Sequence, residues 1–141
     1  MGYVYTFLQF VGIGLVILTT PLIPQSIVAQ VILLIAVFIG FWAIYVFRNT
    51  KINVFPYLRN GSSIIRKGPY KYVRHPMYTS VILFALSYLI DNPGWIYGIY
   101  FTGIFLVLIF KINFEEKQLA AHFENYETEF FKTYRIIPCI Y

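Results

Sequence analysis

Four long apolar runs alternate with polar segments along the chain. The runs cover about residues 3–20, 27–47, 77–90 and 95–112. A transmembrane α-helix needs about 20 predominantly apolar residues, so the pattern predicts four membrane-spanning helices in a single domain. The third run is shorter than a full span, and we expect it to cross with little tilt or with flanking residues included.

Basic residues are confined to the longer polar segments. Seven of the 11 Lys and Arg residues lie in a middle loop at 48–76, and the other four lie from Lys111 into a tail at 113–141. Cytoplasmic segments of membrane proteins are enriched in Lys and Arg. We therefore predict that the middle loop, the tail and the N-terminus all lie on the cytoplasmic side.

Composition supports a membrane protein and excludes several other classes. Hydrophobic residues make up 59% of the chain, charged residues make up 12%, and the mean hydropathy is +0.67, whereas soluble domains contain about 25% charged residues. The single cysteine, Cys139, excludes an internal disulfide, and His75 and His122 lack metal-ligand spacing, so we expect no metal site. Membrane topology accounts for the net charge of +5, so we expect no nucleic-acid partner.

The first segment with candidate chemistry is the end of the middle loop, residues 68–78. Gly68-Pro69 and His75-Pro76 restrict the backbone there. Irregular backbone at a membrane edge exposes amides and carbonyls that a ligand can bind. The alternative is a rigid, basic lead-in to the third span whose tyrosines are interfacial aromatics, and the residues alone favour this simpler alternative.

The second such segment is an acidic pair, Glu115-Glu116, directly after the fourth apolar run. Because no helix breaker occurs before Pro138, we expect the fourth helix to continue into the cytoplasm. Carboxylates at a membrane edge are costly unless a cation lies opposite them. The alternative is a plain ion pair on a solvated face between Lys111 and Glu115, which are four residues apart.

An apolar stripe follows in the tail. Leu119, Phe123, Tyr126 and Phe130 recur at helical spacing. The stripe predicts an amphipathic helix that packs over the middle loop or lies on the membrane.

Together these motifs resemble the isoprenylcysteine carboxyl methyltransferase family. The resemblance rests on Gly68-Pro69-Tyr70, on Val73-Arg74-His75-Pro76-x-Tyr78 and on Glu115-Glu116-x-x-Leu119, in that order and separated by a hydrophobic hairpin. It covers residues 62–138. The family belongs to a wider group of integral-membrane methyltransferases that includes phospholipid N-methyltransferases.

The resemblance implies a fold and an activity. The fold is an all-α integral-membrane protein with four transmembrane helices, whose cytoplasmic loop and C-terminal amphipathic helix form the cofactor site. The activity is methyl transfer from S-adenosylmethionine to a lipophilic small molecule or lipid that is reached from the bilayer. The active site would then lie on the cytoplasmic side.

The resemblance also implies the site residues. Those that contact the donor are Ser62, Ser63, Ile64, Ile65, Tyr70, His75, Pro76, Met77, Tyr78 and Glu115. Lys111 stands where the carboxyl methyltransferases usually have an arginine that holds the acceptor carboxylate, and Ser80 stands where the family usually has glycine. The candidate catalytic residues are Lys111, Glu115 and His75. An amine acceptor must lose a proton, for which His75 or Glu116 is the nearest base.

Three other interpretations stay open. A chain with four spans also resembles the small phospholipid N-methyltransferases, whose acceptor is an amine. The C-terminal run from Tyr134 to Tyr141 and the Arg-His-Pro-x-Tyr run also resemble NADPH-dependent sterol reductases, although the acidic pair argues against that family. The non-enzymatic interpretation is a four-span scaffold or binding protein, which predicts no affinity for the methyl donor.

Overall fold

The computed structural model describes residues 2–48, 67–122 and 133–136, and these are mainly helical. The helices are α1 (Gly2–Thr19), α2 (Ile27–Arg48), α3 (Pro76–Asp91) and α4 (Trp95–His122), and one 3-10 turn covers Gly68–Lys71. The all-helical prediction is confirmed for these ranges, whose only β-pairing is an isolated bridge described below.

Three of the four helices are long and apolar enough to cross a membrane. These are α1, α2 and the part of α4 from Trp95 to Ala121. Helix α3 is apolar but has only 16 residues. The chain is therefore a membrane protein by helix length and composition, whereas the four-span topology and its orientation stay predictions.

The helices pack in two pairs, α2 against α3 and α1 against α4, and α3 joins the pairs by contacting α4. Helix α2 buries three alanines, Ala29, Ala36 and Ala43, at seven-residue intervals on one face, and such small residues allow helices to approach closely. Helix α1 approaches α4 closely at Gly12, where an added Cβ would lie 2.7 Å from Cγ1 of Ile104. The buried core between the pairs includes Val16, Ile82, Ala85, Tyr88, Ile104, Leu108 and Ile112.

At one end of the bundle, the two interhelical turns are joined by hydrogen bonds. The carboxylate of Asp91 accepts from the backbone N–H groups of Gln25 (2.9 Å) and Ser26 (2.7 Å), which precede the first turn of α2. An anion is favourable there because the first amides of a helix have no intrahelical acceptor. The Tyr88 hydroxyl adds a 2.8 Å bond to the carbonyl of Leu22.

At the other end, the tail segment (residues 133–136) lies along the end of the middle loop. Val73 and Tyr134 form a parallel bridge, the backbone N–H of Arg74 donates to the carbonyl of Tyr134 (2.8 Å), and that of His75 donates to the carbonyl of Arg135 (3.1 Å). The tail segment is therefore not helical, although no helix breaker occurs before Pro138. The backbone carbonyls of Tyr134 and Arg135 accept hydrogen bonds from the amides of Arg74 and His75, which precede the first turn of α3, instead of from amides within a helix of their own.

The described part of α4 runs ten residues past the predicted end of the span at 112, to His122. Of the apolar stripe, Leu119 lies on α4, and Phe123, Tyr126 and Phe130 lie outside the described residues. The expectation that the stripe packs over the middle loop or lies on the membrane therefore stays a prediction.

Candidate functional site

The Gly-Pro turn packs the 3-10 turn that carries Tyr70 against α2. Gly68 has φ +58°, which favours glycine, and an added Cβ would lie 2.7 Å from Cγ2 of Val46 and 3.1 Å from Nε1 of Trp42. Only glycine therefore lets the turn pack this closely on α2. Burial raises the pKa of Tyr70 to about 12, so its hydroxyl stays protonated and can donate a hydrogen bond near neutral pH.

The His-Pro motif begins α3. Pro76 occupies the first helical turn, where its missing N–H costs nothing. His75 precedes Pro76 with non-helical backbone (φ −123°, ψ 60°). Its ring stacks on the ring of Tyr78, with 5.4 Å between the ring centres and 9° between the ring planes. The motif thus fixes an imidazole against a phenol at the start of the helix.

Tyr78 connects two charged residues of α4. Its hydroxyl lies 2.7 Å and 2.8 Å from the two carboxylate oxygens of Glu115. The ammonium of Lys111 lies 4.9 Å from the centre of the Tyr78 ring, within the range of a cation–π contact. The tyrosine therefore lies between a carboxylate and a cation.

Lys111 does not pair with Glu115. Among the ion pairs of the described residues, none joins these two side chains. The ammonium of Lys111 instead donates to the side-chain carbonyl oxygen of Gln9 on α1 at 3.0 Å, and Lys111 is only 8% exposed. The alternative of a plain ion pair on a solvated face is therefore wrong, because α1 covers this face of α4 and supplies a polar partner.

The partners of Glu116 differ from those of Glu115. Its carboxylate oxygens lie 2.9 Å from Nε of Arg135 and 3.3 Å from Nη1 of Arg74. Nε2 of His75 lies 3.6 Å away, just beyond hydrogen-bonding distance. Glu116 thus joins the tail segment to the end of the middle loop, and each of its carboxylate oxygens already binds a guanidinium group.

His75 retains one unused nitrogen. Its ring is buried, Nδ1 lies 3.8 Å from Glu115, and Nε2 has no hydrogen-bond partner in the part of the chain that the structure describes. A buried polar atom without a partner is uncommon in native proteins and often marks a functional position.

An apolar groove of about 250 Å³ lies between α1, α2 and α3, and its lining includes Ile13, Phe41, Ser80, Val81 and Phe84. Ile13 follows Gln9 by one helical turn on α1, and Val81 follows Tyr78 by three residues on α3. Residues at these spacings share a helix face, so the groove lies about one helical turn from Gln9 on α1 and from Tyr78 on α3.

The structure brings together most of the residues that the sequence indicates. Tyr70, His75, Pro76, Met77, Tyr78, Lys111 and Glu115 lie at one end of the bundle, whereas Ser62, Ser63, Ile64 and Ile65 lie outside the described residues. Two sets of contacts were not predicted from the sequence: that of Gln9 with Lys111, and those of Arg74 and Arg135 with Glu116. The one available signal for Gln9 was that it is the only amide side chain in the first apolar run.

Most of the chain matches a known protein family. Residues 24–126 match the family described as phospholipid methyltransferase. The match covers most of the chain and includes both polar segments described above. No curated protein sequence matches the chain.

Proposed function

The chain belongs to the phospholipid methyltransferase family, and on this premise we propose that it transfers a methyl group from S-adenosylmethionine to a lipid acceptor. Family membership makes it an integral-membrane methyltransferase, in agreement with the three long apolar helices. The observation that best supports this reaction is that Tyr78 lies between the carboxylate of Glu115 and the ammonium of Lys111. A site that aligns two charged ligands needs an anion and a cation that do not neutralise each other.

Glu115 is the proposed partner of the donor's ammonium. S-adenosylmethionine, when bound, supplies a methyl group on a positively charged sulfur. The Glu115 side chain is 27% exposed, so a ligand can reach it, and the hydroxyl of Tyr78 fixes its orientation. Tyr70 adds a protonated hydroxyl, and the stacked rings of His75 and Tyr78 offer a flat wall of the kind that a nucleoside base favours. The resemblance adds Ser62, Ser63, Ile64, Ile65, Pro76 and Met77 to this donor site.

Lys111 is the proposed partner of an anionic group on the acceptor. Its ammonium has three N–H donors, and Gln9 accepts from it in the described structure. A buried cation inside an apolar bundle is costly without further partners and is a functional position by default. The apolar groove beside Ser80 and Val81 would hold the hydrocarbon part of the same acceptor.

His75 is the better candidate for a base if the acceptor is an amine. Its unpartnered Nε2 can accept a proton, whereas two arginines bind the carboxylate of Glu116. A carboxylate acceptor is already nucleophilic and needs no base. In either reaction the protein contributes mainly by positioning the reacting groups.

We propose two acceptors and an assay that distinguishes them. The first is the carboxylate of an isoprenylcysteine, which the sequence motifs favour. The second is the amine of a phospholipid, which the description of the matched family favours. Lys111 fits both, because the first carries a carboxylate and the second a phosphate.

The four-span topology, with loop, tail and site on the cytoplasmic side, belongs to the same proposal. Its support is the position of the 11 basic residues. Helix α3 has 16 residues, or about 24 Å at 1.5 Å per residue, so it would cross only with flanking residues or local thinning of the bilayer.

The test is methyl transfer by the purified protein in lipid nanodiscs with methyl-labelled S-adenosylmethionine. The acceptors are N-acetyl-S-farnesylcysteine and phosphatidylethanolamine. Alkali releases the label from a methyl ester as methanol but leaves an N-methyl group in place, so the product identifies the acceptor atom. NADPH binding is measured in parallel.

Transfer to either acceptor supports the proposal. Binding of NADPH without binding of S-adenosylmethionine would favour a reductase, and binding of neither would favour the non-enzymatic interpretation.

A further inference from the structure

A single amide side chain from α1 reaches the charged residues of α4. Gln9 is 8% exposed, α1 contains no charged residue, and the carbonyl oxygen of Gln9 accepts a 3.0 Å hydrogen bond from the ammonium of Lys111. The two residues are 102 positions apart in sequence. Gln9 also lies outside residues 24–126, which match the family.

We propose that Gln9 is a specificity-determining residue, which holds the ammonium of Lys111 in place for an anionic group of the acceptor. This inference rests on the proposed function, in which Lys111 binds the acceptor. It adds helix α1 to the acceptor site and names the property that the site selects, a negative charge at the polar end of a lipid.

An amide and a carboxylate differ in their effect on a neighbouring ammonium group. An amide oxygen accepts a hydrogen bond from the ammonium without neutralising its charge. Gln9 thus fixes the direction of Lys111 and leaves its positive charge, and its other N–H donors, for a ligand. A glutamate at the same position would form an ion pair with Lys111 and compete with any anionic ligand.

The position of Gln9 also suits this role. The ring of Tyr78 lies 4.9 Å from the same ammonium and offers no hydrogen-bond acceptor on its face. Gln9 is therefore the partner that sets which way the Lys111 side chain points. Ile13, one turn further along α1, lines the apolar groove, so α1 contacts the proposed positions of both the head and the chain of a lipid.

The test measures lipid binding to the protein in nanodiscs without S-adenosylmethionine, so that it does not depend on turnover. Two probe pairs differ only in charge. The first pair is N-acetyl-S-farnesylcysteine and its carboxamide. The second pair is lysophosphatidic acid and the monoacylglycerol with the same acyl chain. The pair that shows a preference for the anion identifies a carboxylate or a phosphate as the source of the charge.

We expect wild-type protein to bind the anionic member of at least one pair about tenfold or more tightly than the neutral member, because losing one partner of a buried charge pair is costly. Gln9→Glu should abolish this preference, and Gln9→Leu should reduce it. The matched control is Gln30→Glu, which adds the same charge on α2, at the end of the bundle away from the site.

The double variant Gln9→Glu with Lys111→Met separates this role from a structural one. If Gln9 acts through Lys111, the preference in the double variant should be no lower than in Lys111→Met alone, since residues that share an interaction are not additive. A misfolded protein would instead lose affinity for both members of a pair.

Two outcomes would overturn the inference. One is a wild-type protein that does not prefer the anion in either pair. The other is a Gln9→Glu protein that keeps the wild-type preference. Failure of the proposed function would look different, because the wild-type protein would then neither bind S-adenosylmethionine nor transfer its methyl group, whatever its preference among the probes.

Discussion

The same substitution in the neighbouring carboxylates Glu115 and Glu116 should impair different properties, donor affinity for Glu115 and stability for Glu116. Glu115 contacts Tyr78 and is partly exposed, whereas Glu116 is buried among arginines and a histidine. Glu115→Gln and Glu116→Gln each remove one negative charge and keep the side-chain shape. Each variant therefore serves as the matched control for the other.

The expected magnitudes follow from these contacts. In Glu115→Gln, the amide oxygen can still accept from the hydroxyl of Tyr78, so the free energy of unfolding should fall by only about 1 kcal/mol. Affinity for S-adenosylmethionine should fall at least about tenfold, because the ammonium of the bound donor would lose its counterion, which costs on the order of 2–5 kcal/mol. In Glu116→Gln, two guanidinium groups lose their counterion, and because Arg135 is 38% exposed the cost to folding should be about 1–3 kcal/mol.

The assays are donor affinity by isothermal titration calorimetry and thermal unfolding, both in the same detergent. Glu115→Gln should show a large loss of affinity with a nearly unchanged Tm, and Glu116→Gln should show a lowered Tm. If Glu115→Gln binds the donor as tightly as wild type, Glu115 is not in the donor site. If Glu116→Gln unfolds at the wild-type temperature, the contacts of Glu116 with Arg74 and Arg135 do not stabilise the fold.

Three further predictions concern the acceptor, the fold and the topology. Lys111→Met should raise the apparent KM for the acceptor about tenfold or more, while affinity for the donor is unchanged. Lys111→Arg should keep activity on a carboxylate acceptor. An unchanged KM in Lys111→Met would mean that Lys111 only anchors the helix. Asp91→Ala should lower the free energy of unfolding by about 1–2 kcal/mol, because two backbone amides before α2 lose their acceptor, and an unchanged Tm would contradict this. In a variant lacking Cys139, single cysteines at Asn60 and Asn92 should react with a membrane-impermeant label from opposite sides, and labelling from one side would refute the four-span model.

The elements could be predicted from sequence more closely than the contacts between them. The second run, at 27–47, corresponds to Ile27–Arg48, and the third, at 77–90, corresponds to Pro76–Asp91. These boundaries are encoded locally, by prolines, by Asp91 and by charged residues next to apolar runs. The expectation that α4 continues past the fourth apolar run is confirmed as far as His122, because no helix breaker follows that run.

The site was predictable only where its residues are close in sequence. His75 and Tyr78 share one motif, so their proximity follows from the helix that begins at Pro76. The bond between Gln9 and Lys111 depends on how α1 packs against α4, and no local pattern reports it. The different roles of Glu115 and Glu116 likewise depend on which neighbour each side chain faces.

The bridge between the tail segment and the middle loop has a consequence for biogenesis. The carbonyl groups that bind the amides of Arg74 and His75 belong to Tyr134 and Arg135, which are synthesised about sixty residues later. All four helices are therefore synthesised before the start of α3 can form its final hydrogen bonds. A chain interrupted after α4 would also lack the arginine that lies 2.9 Å from Glu116. We expect such a chain to insert into the membrane but to be inactive. The protein would then become active only when its translation is complete, and not as soon as its helices are inserted.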